Sequence, residues 1–172
     1  PEFGLWKNLI ENLKNPEGSI NLAICGKYTK LKDSYASIIE ALHHCSAHLR
    51  HKINIRWIET TEIEEGKITL QNALRNVHAV IVPGGFGSRG AEGKIKVIRY
   101  CREKKIPFLG ICLGLQLAVA EYARNVCGLK DANSSEIDPK TQHPVVDLLP
   151  EQREIKRKGG TMRLGAYQAI LK

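Results

Sequence analysis

A cysteine with glycines two residues to either side stands at Gly110-Ile111-Cys112-Leu113-Gly114. The run before it, Pro107 to Ile111, is apolar and of strand length, and a helical pattern starts at Leu113. A strand that turns sharply into a helix strains its central residue and lifts that side chain above the sheet. Small neighbours at minus two and plus two let the chain pass, which is the logic of the nucleophile elbow G-x-S-x-G, here with cysteine in place of serine. A helix N-terminus favours the thiolate. The Leu113 N–H, at the start of the helix, is placed to hold an oxyanion. A second glycine turn, Pro83-Gly84-Gly85-Phe86-Gly87, offers a further backbone donor. Gln116, four residues after Cys112, shares its helix face one turn in, where an amide suits the polar end of a substrate.

The elements that must position these residues alternate along the chain. "INLAICG" (20–26), "KINIRWIE" (52–59), "HAVIVPGG" (78–85) and "PFLGI" (107–111) read as strands, the third running into its glycine turn. Between them, Asp33 is placed to cap a helix over residues 34–48, a short helix is expected over 68–76, and another over 91–105 with cations at its C-terminal end. The helix after the elbow runs from Leu113 to about Arg124. Such alternation predicts an α/β fold: a mostly parallel open sheet with helices on both faces, joined by right-handed crossovers. Ligands of such sheets bind at the carboxyl ends of the strands, where both glycine turns fall. The last third loses this rhythm and reads as irregular and β-rich, with a strand pair around the glycines of "KRKGGTMRLGAYQAILK". Residues 1–19 read as a linker with a short helix, and 20–172 as the domain proper.

Composition narrows the class. The 172 residues are 42% hydrophobic, enough for one ordinary globular domain. No apolar run approaches membrane-spanning length, and the N-terminus lacks the pattern of a secretion signal. The formal charge is +8, but the cations are scattered and aromatics are only 6%, which argues against nucleic acid as a partner. Five cysteines, an odd number with no C-x-x-C pair, argue against a disulfide framework or a zinc site and for a reducing cytoplasmic setting. Cys25, Cys45, Cys101 and Cys127 read as inert. "GKYTK" (26–30) lacks the spacing of a phosphate loop, and "PGGFGSRG" (83–90) lacks that of a dinucleotide fingerprint.

The pattern Gly110-x-Cys112-x-Gly114-x-Gln116 resembles the nucleophile motif of the class I glutamine amidotransferases. "GKYTKLKDSYASIIEAL" (26–42), "VPGGFGSRG" (82–90), "DANSSE" (131–136) and "GGTMRLG" (159–165) together resemble the C-terminal glutaminase domain of the CTP synthase family. That resemblance implies a set of roles. Cys112 attacks the side-chain amide of glutamine, forms a glutamyl thioester and releases ammonia. The Gly85 and Leu113 N–H groups form the oxyanion hole, and Gly85, Leu113, Gly114, Leu115, Gln116 and Glu136 surround the substrate. Gln116 and Glu136 hold its amino-acid end, a carboxylate being the natural partner of an ammonium. No cofactor is implied for this domain. A synthetase domain of the same polypeptide then uses ATP and Mg²⁺ to aminate UTP to CTP, with GTP as activator and Arg163 in the region of that response. The full-length family members are expected to be homo-oligomers, tetramers.

One departure stands out. The chemistry needs a base beside the thiol, oriented by a carboxylate, and the family uses an H-x-E pair late in the domain. The six histidines are His43, His44, His48, His51, His78 and His143, and none begins an H-x-E. The family's late arginine for the substrate carboxylate has no counterpart either. The expectation is a domain incomplete at its C-terminus and, alone, inactive. Two other readings stay open: another class I amidotransferase subunit, or a degenerate module used for docking or regulation.

Overall fold

The computed structural model of the chain describes residues 3–27, 29 and 32–148. The expected strand pair around residues 159–160, and Arg163 with it, lie outside these described residues. The chain opens with helix α1 (Phe3–Lys14) and strand β1 (Gly18–Gly26). After a 3-10 turn at Lys32–Tyr35 come α2 (Ala36–Leu49), β2 (His51–Glu59) and two short helices, α3 (Thr60–Glu64) and α4 (Leu70–Ala73). Strand β3 (Ala79–Val82), helix α5 (Ala91–Lys104), strand β4 (Phe108–Gly110) and helix α6 (Leu113–Asn125) follow. A small pair, β5 (Asn133–Ser134) and β6 (Pro144–Val146), closes the described region.

Strands β1 to β4 form one parallel sheet in the order β2-β1-β3-β4, the open α/β sheet that the alternation predicts. The register sets Ile24 beside Trp57 and Ile81, and Val82 beside Gly110. Alternation along each strand sorts side chains onto two faces. Leu22, Ile24 and Ile81 point one way and pack with Leu42 and Ile38 of α2. Ala23, Cys25, Val80 and Val82 point the other way and pack with Ile95, Ile98 and Cys101 of α5 and with Leu113 and Leu117 of α6. Both faces of the two central strands are therefore covered, as a parallel sheet requires. No helix among the described residues is long and apolar enough to cross a membrane.

Four details depart from the sequence expectations. Asp33 does not cap α2: it lies in the 3-10 turn, Tyr35 is the N-cap, and no side chain bonds the first turn there. The turn instead anchors through the Tyr35 hydroxyl, which donates to the carbonyl of Lys27. The helix expected over 68–76 is one turn, capped by the Thr69 hydroxyl accepting from the Asn72 N–H at 3.3 Å. Helix α3 was not foreseen, because five residues are too few to show a period. β5 and β6 pair in parallel, which the irregular composition of the last third does not signal.

Helices α5 and α6 are tied by charge as well as by packing. Glu121 of α6 is 1% exposed and its carboxylate is gripped by Arg102 of α5, with Nε and Nη2 donating at 2.8–3.2 Å. Arg124 of α6 reaches Glu92 of α5 at 2.9 Å. Removing one partner of a buried pair strands the other charge in a low-dielectric core. Arg102→Ala is therefore expected to destabilise the fold by about 2 kcal/mol, a figure reduced from the usual buried-pair cost because the guanidinium keeps contact with water. Glu121→Gln, which leaves no buried charge, is expected to cost less. Urea unfolding of the two variants checks the order.

Candidate active site

The elbow is formed as its glycines require. Cys112 has φ +53° and ψ −114°, a conformation that side-chain-bearing residues rarely hold, and it is the N-cap of α6. The side chain stands exposed at the carboxyl end of β4. A Cβ added at Gly114 would lie 2.0 Å from the carbonyl oxygen of Val82 in β3, and one at Gly110 would lie 2.7 Å from the Gly114 backbone. Only bare backbone fits at either position. Gly114 N–H donates to the Ile111 carbonyl at 2.9 Å, while the Leu115 and Gln116 N–H groups donate to the Cys112 carbonyl at 3.0 and 3.1 Å. The Leu113 N–H meets no carbonyl among the described residues, as expected for the first N–H of a helix.

The second glycine turn folds onto the cysteine. Gly84 packs against Cys112, so that a Cβ there would sit 3.3 Å from the cysteine Cβ and 3.7 Å from Sγ. Gly85 follows with φ +153°, and a Cβ built on it would lie 4.0 Å from the Leu113 side chain. The structure thus brings together Cys112, Gly84, Gly85 and Leu113 at the ends of β3 and β4. Gln116 sits partly buried one helical turn above, and Leu115 is exposed beside it. Glu136 follows β5, half-buried, with its N–H donating to the Ser134 hydroxyl at 3.3 Å. Its carboxylate acts on the ammonium of Lys27, which donates to the carbonyl of Phe86 in the same glycine turn.

Two lysines that hold this turn escaped the sequence reading. Lys94 of α5 is 1% exposed, and its Nζ donates to the Pro83 carbonyl at 3.0 Å and the Gly84 carbonyl at 3.4 Å. Lys27 is likewise buried. Burial, and then the neighbouring Lys27, push the Lys94 ammonium down to about 8 from its ordinary value of 10.5. Burial first, then Arg89, lowers Lys27 too. A signal for Lys94 was present: Ala91, Lys94, Ile95, Ile98 and Cys101 share one helical stripe, and a lysine inside an apolar stripe must find partners.

The histidines lie elsewhere. His51 opens β2 and His78 precedes β3, so both sit at the amino ends of the strands, opposite Cys112. His78 Nδ1 accepts from the Asn21 N–H at 2.9 Å. His43, His44 and His48 fall in the last turns of α2 before it returns to that same end. His143 lies past the C-terminal end of α6, with Nε2 3.5 Å from Asp131. Among the described residues, no imidazole stands beside the thiol. The other cysteines do not compete for its role. Burial pushes the Cys101 thiol up to about 11, and burial drives Cys25 higher still, while Cys45 and Cys127 are exposed away from the glycine turns. A cleft of about 450 Å³ lined by Arg56, Glu59, Glu62 and Arg75 lies at the opposite edge of the sheet and contains none of the site residues.

Comparison with known proteins places the chain in a family. The family model "Glutamine amidotransferase class-I" matches residues 30–171, and the chain belongs to that family. Curated relatives narrow the neighbourhood. The chain is 51% identical to a CTP synthase of Sulfolobus acidocaldarius and 56% identical to one of Pyrococcus abyssi, each over the whole chain and 32% of the relative. It spans about a third of the length of the curated relatives it matches. Among solved structures, the glutaminase domain of Trypanosoma brucei CTPS with bound acivicin is 34% identical, with a TM-score of 0.69 over 78% of this chain and 52% of that one.

Two outcomes follow from the site geometry. Gly114→Ala is expected to slow labelling of Cys112 by a glutamine-like diazo-ketone at least tenfold, because the added methyl pushes α6 off β3 and moves the thiol. Mass mapping of the adduct measures it. The second concerns pH. The charged form of Lys94 is disfavoured in the fold, so the native state loses its proton first and stability climbs as pH rises from 8 toward 10.5. The raised thiols act oppositely, and only above their ordinary value of 9. Between pH 8 and 9 the unfolding free energy should therefore rise by about 1 kcal/mol more in the parent than in Lys94→Met. Denaturant melts at the two pH values compare the slopes.

Proposed function

We propose that this chain is the glutamine-hydrolysing unit of a CTP synthase. The observation that carries the reading is Cys112 held at positive φ on the N-cap of α6, with the Gly84-Gly85 turn packed on its sulfur. In this reading the Sγ thiolate attacks Cδ of the substrate side chain, and the carbonyl electron pair moves onto oxygen. The Gly85 and Leu113 N–H groups receive that charge. The pair returns, the C–N bond breaks, and ammonia leaves after its nitrogen takes up a proton. Water then cleaves the thioester to glutamate and the free thiol. Gln116 and Glu136 hold the amino-acid end, Glu136 through the substrate ammonium. Gly114 and Leu115 complete the wall beside them.

The identity to CTP synthases supports the destination of the ammonia. It passes to a synthetase part that uses ATP and Mg²⁺ to aminate UTP, in a homo-oligomer activated by GTP, with Arg163 contributing to that response. No described imidazole serves Cys112, so the reading assigns slow hydrolysis to these 172 residues alone. Loss of a general base removes about 10²–10⁴-fold in rate.

Ammonia release from glutamine tests the proposal. The 172-residue chain is expected to be slow. The chain joined to the remaining two thirds of a relative such as the Pyrococcus abyssi protein is expected to release ammonia and, with ATP and UTP, to form CTP. Cys112→Ser should abolish both. Rapid turnover by the 172 residues alone would place the base among its own six histidines. Failure of the joined protein to release ammonia, with its fold intact, would favour a docking module.

A further inference from the structure

The turn that faces Cys112 has an unusual foundation. Gly84-Gly85 is a peptide between two residues without side chains, so its plane can rotate by half a turn at little steric cost. Two orientations result, and they have opposite chemistry. In one, the Gly84 carbonyl points into the protein and the Gly85 N–H points out toward the thiol. In the other, the carbonyl points out, and a carbonyl dipole there opposes a developing oxyanion. A trans peptide fixes the N–H opposite the C=O, and the described backbone contains no cis bond. Whatever holds the Gly84 oxygen inward therefore aims the Gly85 N–H outward.

The group that holds it is Lys94. Its Nζ donates to the Gly84 carbonyl at 3.4 Å and to the adjacent Pro83 carbonyl at 3.0 Å, from a side chain 1% exposed. It also lies 3.6 Å from where a Cβ of Gly85 would be, directly beneath the turn. Lys27 fixes the other side by donating to the Phe86 carbonyl. Apart from these contacts, the helical stripe that carries Lys94 is wholly apolar: Ala91, Ile95, Ile98 and Cys101. A lysine at such a position is unfavourable for stability unless its ammonium is matched by acceptors. Carbonyls supply that match, and no carboxylate bonds it among the described residues, so the charge remains available to polarise the turn.

We infer that Lys94 is a positioning residue for the reaction at Cys112: it locks the Gly84-Gly85 peptide with its carbonyl inward and thereby presents the Gly85 N–H to the oxyanion. The inference rests on the reading of Cys112 as the attacking group on a glutamine side chain. Lys94 does not touch the substrate. It acts through the peptide, and its ammonium further strengthens the Gly85 donor by drawing charge from the Gly84 oxygen.

Two probes of the same thiol separate this role from a structural one. Glutamate γ-semialdehyde adds Cys112 across its carbonyl: the Sγ–C bond forms, the π pair moves to oxygen, and the thiol proton ends on that oxygen. The adduct is a hemithioacetal that uses the oxyanion site. Iodoacetamide alkylates the same sulfur by displacing iodide and builds no oxyanion. In the 172-residue chain, Lys94→Met, of similar length and without a donor, is expected to weaken the aldehyde at least tenfold more than it slows Cys112 alkylation, the alkylation loss reporting the direct attraction between the ammonium and the thiolate. Lys94→Arg, which keeps a donor, should recover part of the loss. If Lys94→Met fails to fold by thermal melting, Lys94→Gln replaces it, with the aldehyde again weakened more than alkylation. Equal loss with both probes, or no loss with either, overturns the inference. A parent chain that alkylates at Cys112 but takes the aldehyde neither alone nor joined to the rest of a relative overturns the glutamine reading itself.

Discussion

Everything at the site depends on one contact between backbones. Gly114, in the first turn of α6, approaches the Val82 carbonyl so closely that a single added carbon would lie 2.0 Å from it. This seats the N-terminus of the helix on the end of the neighbouring strand. The helix begins where it does because Cys112 turns at positive φ, and it can rest there because residue 114 carries nothing. The residues that follow β3 are Pro83 and Gly84, so the same contact delivers the second turn to the sulfur. A sheet order of β2-β1-β3-β4 makes β3 and β4 neighbours, and the two turns are thus adjacent by topology. Packing of Val82, Leu113 and Leu117 on α5 then keeps α6 from drifting.

The site is also costly in electrostatic terms. Two ammonium groups are buried within reach of one another under a five-residue turn. Their mutual repulsion and desolvation work against the fold, and carbonyl acceptors offset only part of it. Active sites commonly carry such opposed terms, with the surrounding core supplying the difference. Here the core on that face of the sheet is large, running from Ile63 through α5 to Leu117. Glu121, buried and paired to Arg102, adds a second polar load on the same layer.

What the sequence disclosed and what it hid divide along physical lines. Glycines at fixed offsets around a cysteine report a backbone geometry directly, because only backbone fits there; Gly110, Cys112 and Gly114 were readable for that reason. The four strands were readable from apolar runs and alternation, which mirror the two buried faces. Lys94 was hidden in plain composition: among 26 basic residues, only its place in an apolar stripe sets it apart. Asp33 misled, because a capping residue type marks a helix start only when its side chain reaches the first turn, and the chain forms a 3-10 turn first. Glu136 could be singled out by resemblance alone, since a carboxylate in a loop has no local signature; its action on Lys27 appears only in three dimensions.

The conformation of Cys112 has a consequence for how this sequence persists. At φ +53° and ψ −114°, glycine is the comfortable occupant and every other residue is held there against its preference, by an amount on the order of 1–3 kcal/mol. Stability and reactivity therefore pull in opposite directions at a single codon. Replacement of Cys112 by glycine would relax the turn and remove its thiol together. A chain drifting under selection for folding alone would descend toward glycine at position 112.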